Sequence, residues 1–340
     1  MKGWVVFVFL FHFFLHHYGI AQRNFLTLED ADSNYIRKHL LTNDLRLFYG
    51  AQGNSLSLGS KRDSNPDLNG DVYTNTNDYF GAGITYKWLD GDLSFSLPGT
   101  TYLKEERSNL TQIKLGLSYT MRKIAFRGYF QESKGVVIAG ANNEYETTPS
   151  IHEARLGLQI TYLFNAFKYS YRASLYQSEF QMKSAGSFMV RLEPFYRSLG
   201  GQGGSMIPVA WDVAARYGEQ VGLEYVKAPG IVVLPGYGFN FAIPDTQWFI
   251  SPMVFAGLGT AFNTYEGKNG KTNYTNIEYA ASFNLNMGYN GSRYYSKVQF
   301  NWSAGYSPLN PSYFTSSNMM LSLWVGFRFR DVEKFFPGSL

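Results

Sequence analysis

The sequence contains no cysteine. That single absence excludes disulfides, thiolate metal centres and cysteine nucleophiles together. Charged residues are also scarce, 16% of the chain against roughly 25% in an ordinary soluble domain. After residue 21 no apolar run is long enough for a transmembrane helix, which needs about 20 residues. If the mature chain enters a membrane, it does so as strands. The formal charge of +4 is too mild to indicate a nucleic-acid partner.

Aromatic residues, by contrast, make up 18%, with 26 Tyr and 28 Phe beside 34 Gly. This profile suits a β-protein with a large apolar exterior. The N-terminus carries Lys2, an apolar run from Trp4 to Leu15, and the small-x-small end Gly19-Ile20-Ala21. It reads as a secretory signal (residues 1–21) cleaved after Ala21, its apolar run being shorter than a bilayer span.

The hairpins carry the fold. From Ile277 to Tyr289 the odd positions are apolar and most even ones polar. From Tyr294 to Ala304 the apolar phase moves to even positions. Side chains alternate with period two along a strand. A two-residue turn at Asn290-Gly291 would bring the two apolar faces together, pairing Met287 with Tyr294 and Ala281 with Phe300. The same switch follows Arg122-Lys123, Asn165-Ala166 (leading to Phe167, Tyr169 and Tyr171), Asp90-Gly91, and the stretch from Pro244 to Gln247. Between these hairpins lie longer polar stretches at 61–75, 98–109, 132–150 and 263–276. Strands of ten or more residues match the roughly 9 to 11 needed to cross a bilayer at a tilt.

The expectation is therefore an all-β, antiparallel transmembrane β-barrel with short periplasmic turns and long extracellular loops. A first strand near Asp44–Gly53, five hairpins and a last strand from Met319 to Phe329 give about twelve strands. The run Phe188, Val190, Leu192 is left over. Either it belongs to an external excursion over 178–230, or it pairs with Val221–Val226 and the count is fourteen. The organisation expected is a signal peptide (1–21), a periplasmic N-terminal segment that acts as a lid (22–43), the barrel (44–330) and a periplasmic tail (331–340).

Several stretches carry a resemblance. YIRKHLLTNDLRLFYG at 35–50, GAGITYKWLDGDLSFSLPG at 81–99, GYFQESKG at 128–135, KSAGSFM at 183–189 and GYGFNFAIPDTQWFISP at 236–252 resemble the outer-membrane proteins grouped as domain of unknown function 4421, common in Bacteroidota. The resemblance implies a barrel in the outer membrane. It implies no activity and carries over no site residues.

Catalytic signals are weak. Outside the signal only His39 and His152 remain. A hydrolase of the barrel type needs a Ser and His with an orienting third group; Ser150 and Glu153 flank His152, but adjacent strand residues point to opposite faces. SLGGQGGS at 198–205 lacks the Lys and spacing of a phosphate cradle and reads as a flexible turn. Asn65, Asp67 and Asn69 mimic the start of a calcium loop, but the twelfth position is Thr76 rather than Glu. Neither a catalytic, nor a cofactor, nor a metal site is expected. The sharpest pattern is on the inward phase, where Arg46, Lys87, Lys114, Arg127, Arg155, Lys168, Arg172, Lys297 and Arg328 all fall, outnumbering the inward acids Glu153 and Glu278. The expectation is a basic lumen near the short-turn end, with Glu29, Asp30 and Asp32 docking there as part of the lid. The function expected is a narrow channel or transporter for small solutes, contacting outer-membrane lipid. The alternatives are a structural or assembly component of the envelope and, third, a lipid hydrolase.

Overall fold

The computed structural model describes residues 31–60, 70–86, 89–100, 111–135, 137–139, 145–147, 151–201, 223–267, 270–308 and 312–330. Twelve strands form the wall: β1 (Asn43–Ser60), β2 (Gly70–Tyr86), β3 (Leu89–Ser96), β4 (Thr111–Thr120), β5 (Ile124–Lys134), β6 (Ile151–Leu163), β7 (Ala185–Gly201), β8 (Leu223–Ala242), β9 (Trp248–Gly267), β10 (Gly270–Asn290), β11 (Tyr294–Pro308) and β12 (Ser312–Phe329). Each pairs antiparallel with its sequence neighbours, and β12 pairs with β1 from Ser312↔Ser60 to Phe329↔Asn43. The sheet is thus a closed barrel, as the sequence leads one to expect. A further hairpin, Val137–Ala139 with Tyr145–Thr147, adds to β2.

The alternation decides which side is which. On β10, Ile277, Tyr279, Met287 and Tyr289 are exposed while Glu278 and Asn286 are buried; on β12, Leu321, Leu323 and Val325 are exposed while Ser322 and Arg328 are buried. The apolar face is outside. From Tyr289 to Tyr279, ten residue steps of about 3.3 Å on a strand tilted by about 40° rise about 25 Å, the height of an outer-membrane apolar band. Beyond that band the outward positions of β10 become Thr275, Asn273 and Lys271, all exposed. Strands β8 to β10 have 20, 20 and 21 residues, so the barrel continues past the apolar belt at the long-loop end. The stretch 263–276, expected to be a loop, is mostly strand, with Gly267 paired to Gly270.

Three expectations need correction. The Asn290-Gly291 hairpin pairs Met287 with Val298 and Leu285 with Phe300, a register four residues away from a two-residue turn. Asn290 is occupied elsewhere: its side-chain amide donates to Glu179 O at 2.9 Å and its backbone N–H to Gln247 O at 2.8 Å. The β2–β3 turn falls between the paired Tyr86 and Leu89, not at Asp90-Gly91, because Asp90 is buried against Arg46 and Thr85. Both shifts are even in length, so the apolar phase is untouched.

The third correction is larger. Phe167, Tyr169 and Tyr171 are not a strand. Residues 164–184 leave the wall at the short-turn end and fold across it: a turn, a one-turn helix α1 (Tyr171–Leu175), and a short strand, Glu179–Gln181, paired with Ile36–Lys38 of the N-terminal segment. The partner of β6 is β7, the run that contains Phe188, Val190 and Leu192, and β7 in turn pairs with β8 as far as Gly200↔Tyr225. The total stays at twelve because one strand is exchanged for another.

The inside–outside assignment has a direct check. In a cysteine-free chain, Leu321→Cys labelled with bimane should be quenched by doxyl lipid in vesicles, and Asn284→Cys, which lines the interior, should not. Equal quenching at both sites would refute the face assignment.

Candidate functional site

The plug, residues 164–184, is built from inward-facing apolar side chains. Tyr169, Tyr171, Leu175 and Tyr176 pack with Met189 of β7, Val232 and Leu234 of β8, and Met253 and Phe255 of β9. This explains why Ile231–Leu234 is apolar on both faces: Ile231 and Val233 are exposed outward, Val232 and Leu234 buried against the plug. A continuous apolar run in an otherwise alternating strand marks burial on both sides, and it is the one sequence signal for the plug.

Polar groups fix its position. Ser170 caps α1 by accepting from Ala173 N–H at 2.9 Å, the role Ser commonly plays at helix starts, and donates to Glu179 Oε2 at 2.6 Å. Glu179 also receives Arg122 of the β4–β5 turn through two contacts, at 2.8 and 3.1 Å. Ser174 joins Ser251 and Asn240 at 2.6 and 2.8 Å. Two cations receive the carbonyls at the C-terminal end of α1, Lys297 donating to Leu175 O at 2.5 Å and Arg328 to Gln177 O. Positive charge at a helix C-terminus is favourable. The N-terminal segment docks on the outer side of the plug through backbone pairing, with Asp32 N–H donating to Phe167 O at 3.0 Å and Met182 N–H to Tyr35 O at 2.7 Å. Asp32 itself caps Asn34 at 2.9 Å; Glu29 and Asp30 lie outside the described residues.

Above the plug the barrel encloses a cavity of about 360 Å³, whose floor includes Tyr171, Leu175, Tyr176 and Gln177. Of the nine cations expected inside, Arg46, Lys114, Arg127, Arg155 and Lys297 line it. Arg328 points inward too but lies at the plug's underside, donating to Gly291 O and Asn290 Oδ1 as well. Lys87 lies outside the described residues. Lys168 and Arg172 are corrected along with the strand they were read on. Lys168 is exposed, 5.2 Å from the Tyr35 ring centroid, and Arg172 sits on α1, donating to Ser178 Oγ at 3.2 Å.

Sequence reasoning missed Arg191 and Arg197 on β7, the unassigned run, and most of the acids. Seven Lys or Arg side chains line the cavity with four Asp or Glu. Arg46 contacts Asp90 at 2.7 Å and Asp44 at 3.2 Å; Arg197 reaches Glu278 at 2.7 Å; Tyr129 donates to Glu193 at 2.8 Å. Arg191 stacks on Phe255 at 3.8 Å. His152 contacts Glu132 at 2.8 Å, and both sit on the opposite phase to the inward Glu153 and Ser133, on the outer face. Ser150 and the calcium-like stretch at 65–69 lie outside the described residues. Ser198–Gly201 is the end of β7 rather than a turn. Among the described residues no group of three His, Asp or Glu side chains could hold a metal ion.

The chain belongs to the family described as a domain of unknown function (DUF4421), whose model matches residues 30–329. Similar solved structures include the outer-membrane protease OmpT from Escherichia coli (10% identity, 84% of this chain and 96% of that chain, TM-score 0.40). The translocator domain of the autotransporter NalP from Neisseria meningitidis gives 12% identity, 84% and 88% coverage, and a TM-score of 0.37. The P. putida toluene transporter TodX gives 7%, 85% and 91%, and 0.30. At these scores none lends its activity to this chain. No curated protein matches the sequence.

The plug's latch has a pH signature. Burial alone would raise the Glu179 carboxyl, but the Arg122 and Arg172 guanidinium groups hold it below the usual carboxylate range. Its contribution is therefore present above the unfolded value of about 4.3 and lost as pH falls through the lowered folded value. His39, on the segment that docks beneath, is pushed down to about 4, chiefly by burial and then by Arg328. Its neutral form favours docking, which weakens as pH falls from about 6.5 to about 4. Amide exchange should thus show the 36–38 strand loosening over that window and residues 169–181 only in stronger acid. Arg122→Ala, which strands a buried carboxylate at a cost of about 3 kcal/mol or more, should speed exchange in 169–181 by about two orders of magnitude at pH 7. Unchanged exchange would show that the Glu179 pair does not hold the plug.

Proposed function

We propose that this protein is a plugged outer-membrane channel that passes small solutes through a narrow lumen with an excess of positive charge. The observation that carries the reading is the combination of a cavity of about 360 Å³ inside the barrel, with charged and amide groups in its otherwise mixed wall, with a closure that is folded from the chain itself and held by side-chain contacts at one rim. A barrel that served only as a scaffold could fill its interior with side chains, as eight-stranded barrels do. Here the interior above the plug is lined by charged, amide and hydroxyl groups that can replace part of a solute's hydration. On this reading the chain is exported by its signal, the outward belt meets outer-membrane lipid, the short turns and the 22–43 segment lie in the periplasm, and that segment acts with the plug as the lid. No catalytic role is assigned: His152 pairs with Glu132 on the outer face, away from the cavity.

The absence of cysteine permits a clean test. Ser174 of α1 and Ser251 of β9 have hydroxyls 2.6 Å apart, so Ser174→Cys with Ser251→Cys can lock the plug when oxidised. In planar bilayers the wild type should give small, flickering conductance, the oxidised variant none, and reductant should restore it. Replacing residues 167–182 by a short Gly/Ser turn should give large, steady openings. A wild type and a plug-deleted barrel that are equally silent would overturn the channel reading, as would an oxidised lock without effect on current.

A further inference from the structure

Strand pairing arranges the inward side chains of one half of the wall into rows. Ser94, Lys114, Gln131, Arg155 and Arg197, on β3 to β7, are successive cross-strand partners, so three cations share one row. The next row towards the plug contains Tyr129, Gly157, Phe195 and Gly230, again successive partners. The glycines are there for space. A Cβ on Gly157 would lie 2.4 Å from the Tyr129 ring, and one on Gly230 2.4 Å from the Phe195 ring. The two rings therefore lie along the wall and form an aromatic ledge beneath the cationic row.

The charges of that row are unequally matched. Arg155 has Glu153 at 2.5 Å and Arg197 has Glu278 at 2.7 Å. Lys114 has no carboxylate within 4.0 Å among the described residues; its ammonium contacts the Met320 thioether at 3.1 Å, a weak acceptor. Lys114 lines the cavity, and the facing wall offers Asn284, Asn301, Ser303 and Asn318, neutral donors and acceptors without a counter-charge. A cavity with a cationic row whose Lys114 lacks a carboxylate partner, an aromatic ledge, and amide and hydroxyl groups on the facing wall has the make-up of a small-ligand site.

We propose that this row binds a small hydroxylated monoanion of the sugar-acid type, its carboxylate on Lys114 and Arg155, its hydroxyls on the amide wall and one face of its ring on Tyr129. The assignment rests on the reading of the cavity as a solute path, but binding can be measured without transport, so the two can fail separately. Titration calorimetry on the detergent-solubilised full chain at low salt should give heat with D-glucuronate and none with D-glucose. Lys114→Gln should weaken glucuronate binding by about tenfold or more and Lys114→Arg should largely retain it, with both variants still showing the heat-modifiable mobility of a folded barrel. Equal binding of glucose and glucuronate, no binding of glucuronate to the wild type, or undiminished binding to Lys114→Gln would overturn the proposal. Binding that survives in a barrel without conductance would keep the site and remove the channel.

Discussion

The structure depends on one constraint: within a bilayer every backbone N–H and C=O must be paired inside the protein. A sheet meets that condition only by closing on itself, and here closure is the long ladder from Ser312↔Ser60 to Phe329↔Asn43. Once the sheet is closed, pleat geometry leaves no choice about side chains. Odd positions of β10 and even positions of β9 must face outward, and their neighbours must face the interior. The outer belt is aromatic and aliphatic, while seven Lys or Arg and four Asp or Glu side chains line the cavity within.

Closure of twelve strands creates a second problem, since the interior exceeds what strand side chains fill. At the short-turn end the chain solves it with the segment between β6 and β7. Its apolar side, Tyr169 to Tyr176, meets inward Met189, Val232, Leu234, Met253 and Phe255. Its polar side is met by Arg122, Lys297, Arg328 and Asn290 from four separate places in the wall. Inward cations that look like a porin lining on phase alone thus divide into two groups. Lys297 and Arg328 receive the plug's carbonyls, Lys297 from the cavity floor, whereas Arg46, Lys114, Arg127 and Arg155 look into the cavity above it.

Much of the fold was legible because apolar phase is robust. Misplacing the turn at Asn290-Gly291 by four residues of register, or at Asp90 by six, leaves each side chain on its proper face, since the error is even. Register itself was not legible, because it was set by tertiary demands on Asn290 and Asp90 that no local pattern records. The failure at 165–171 has the opposite cause. Phe167, Tyr169 and Tyr171 do alternate, but Tyr169 and Tyr171 are buried in the plug core and Phe167 is exposed at its rim. A turn entering a short helix can mimic period two over five residues. The candidate site was legible only in part for a related reason: inward cations were visible one by one, while their carboxylate partners came from β1, β3, β6 and β10, and which cations lack one depends on pairing across the barrel.

The same topology limits how the closure can move. The plug is covalently continuous with β6 at Leu163 and β7 at Ala185, which are neighbouring strands, so both attachments lie on one side of the rim. Its far side is held by side chains from the wall, Asn290, Lys297 and Arg328 of β10, β11 and β12. The chain leading into β1 is paired to the plug's own strand, Ile36 with Gln181 and Lys38 with Glu179, and enters the wall at Asn43 beside β12. A segment tied this way cannot leave the barrel, but it can swing about the β6–β7 side when the contacts opposite are released. Such a swing would carry strand 36–38 with it or first break three residues of pairing. On the reading of the plug as a closure that opens, the N-terminal segment is placed to resist the swing rather than to start it, and Arg328, which touches plug, turn and the Tyr295 ring together, is a contact that the swing would have to break.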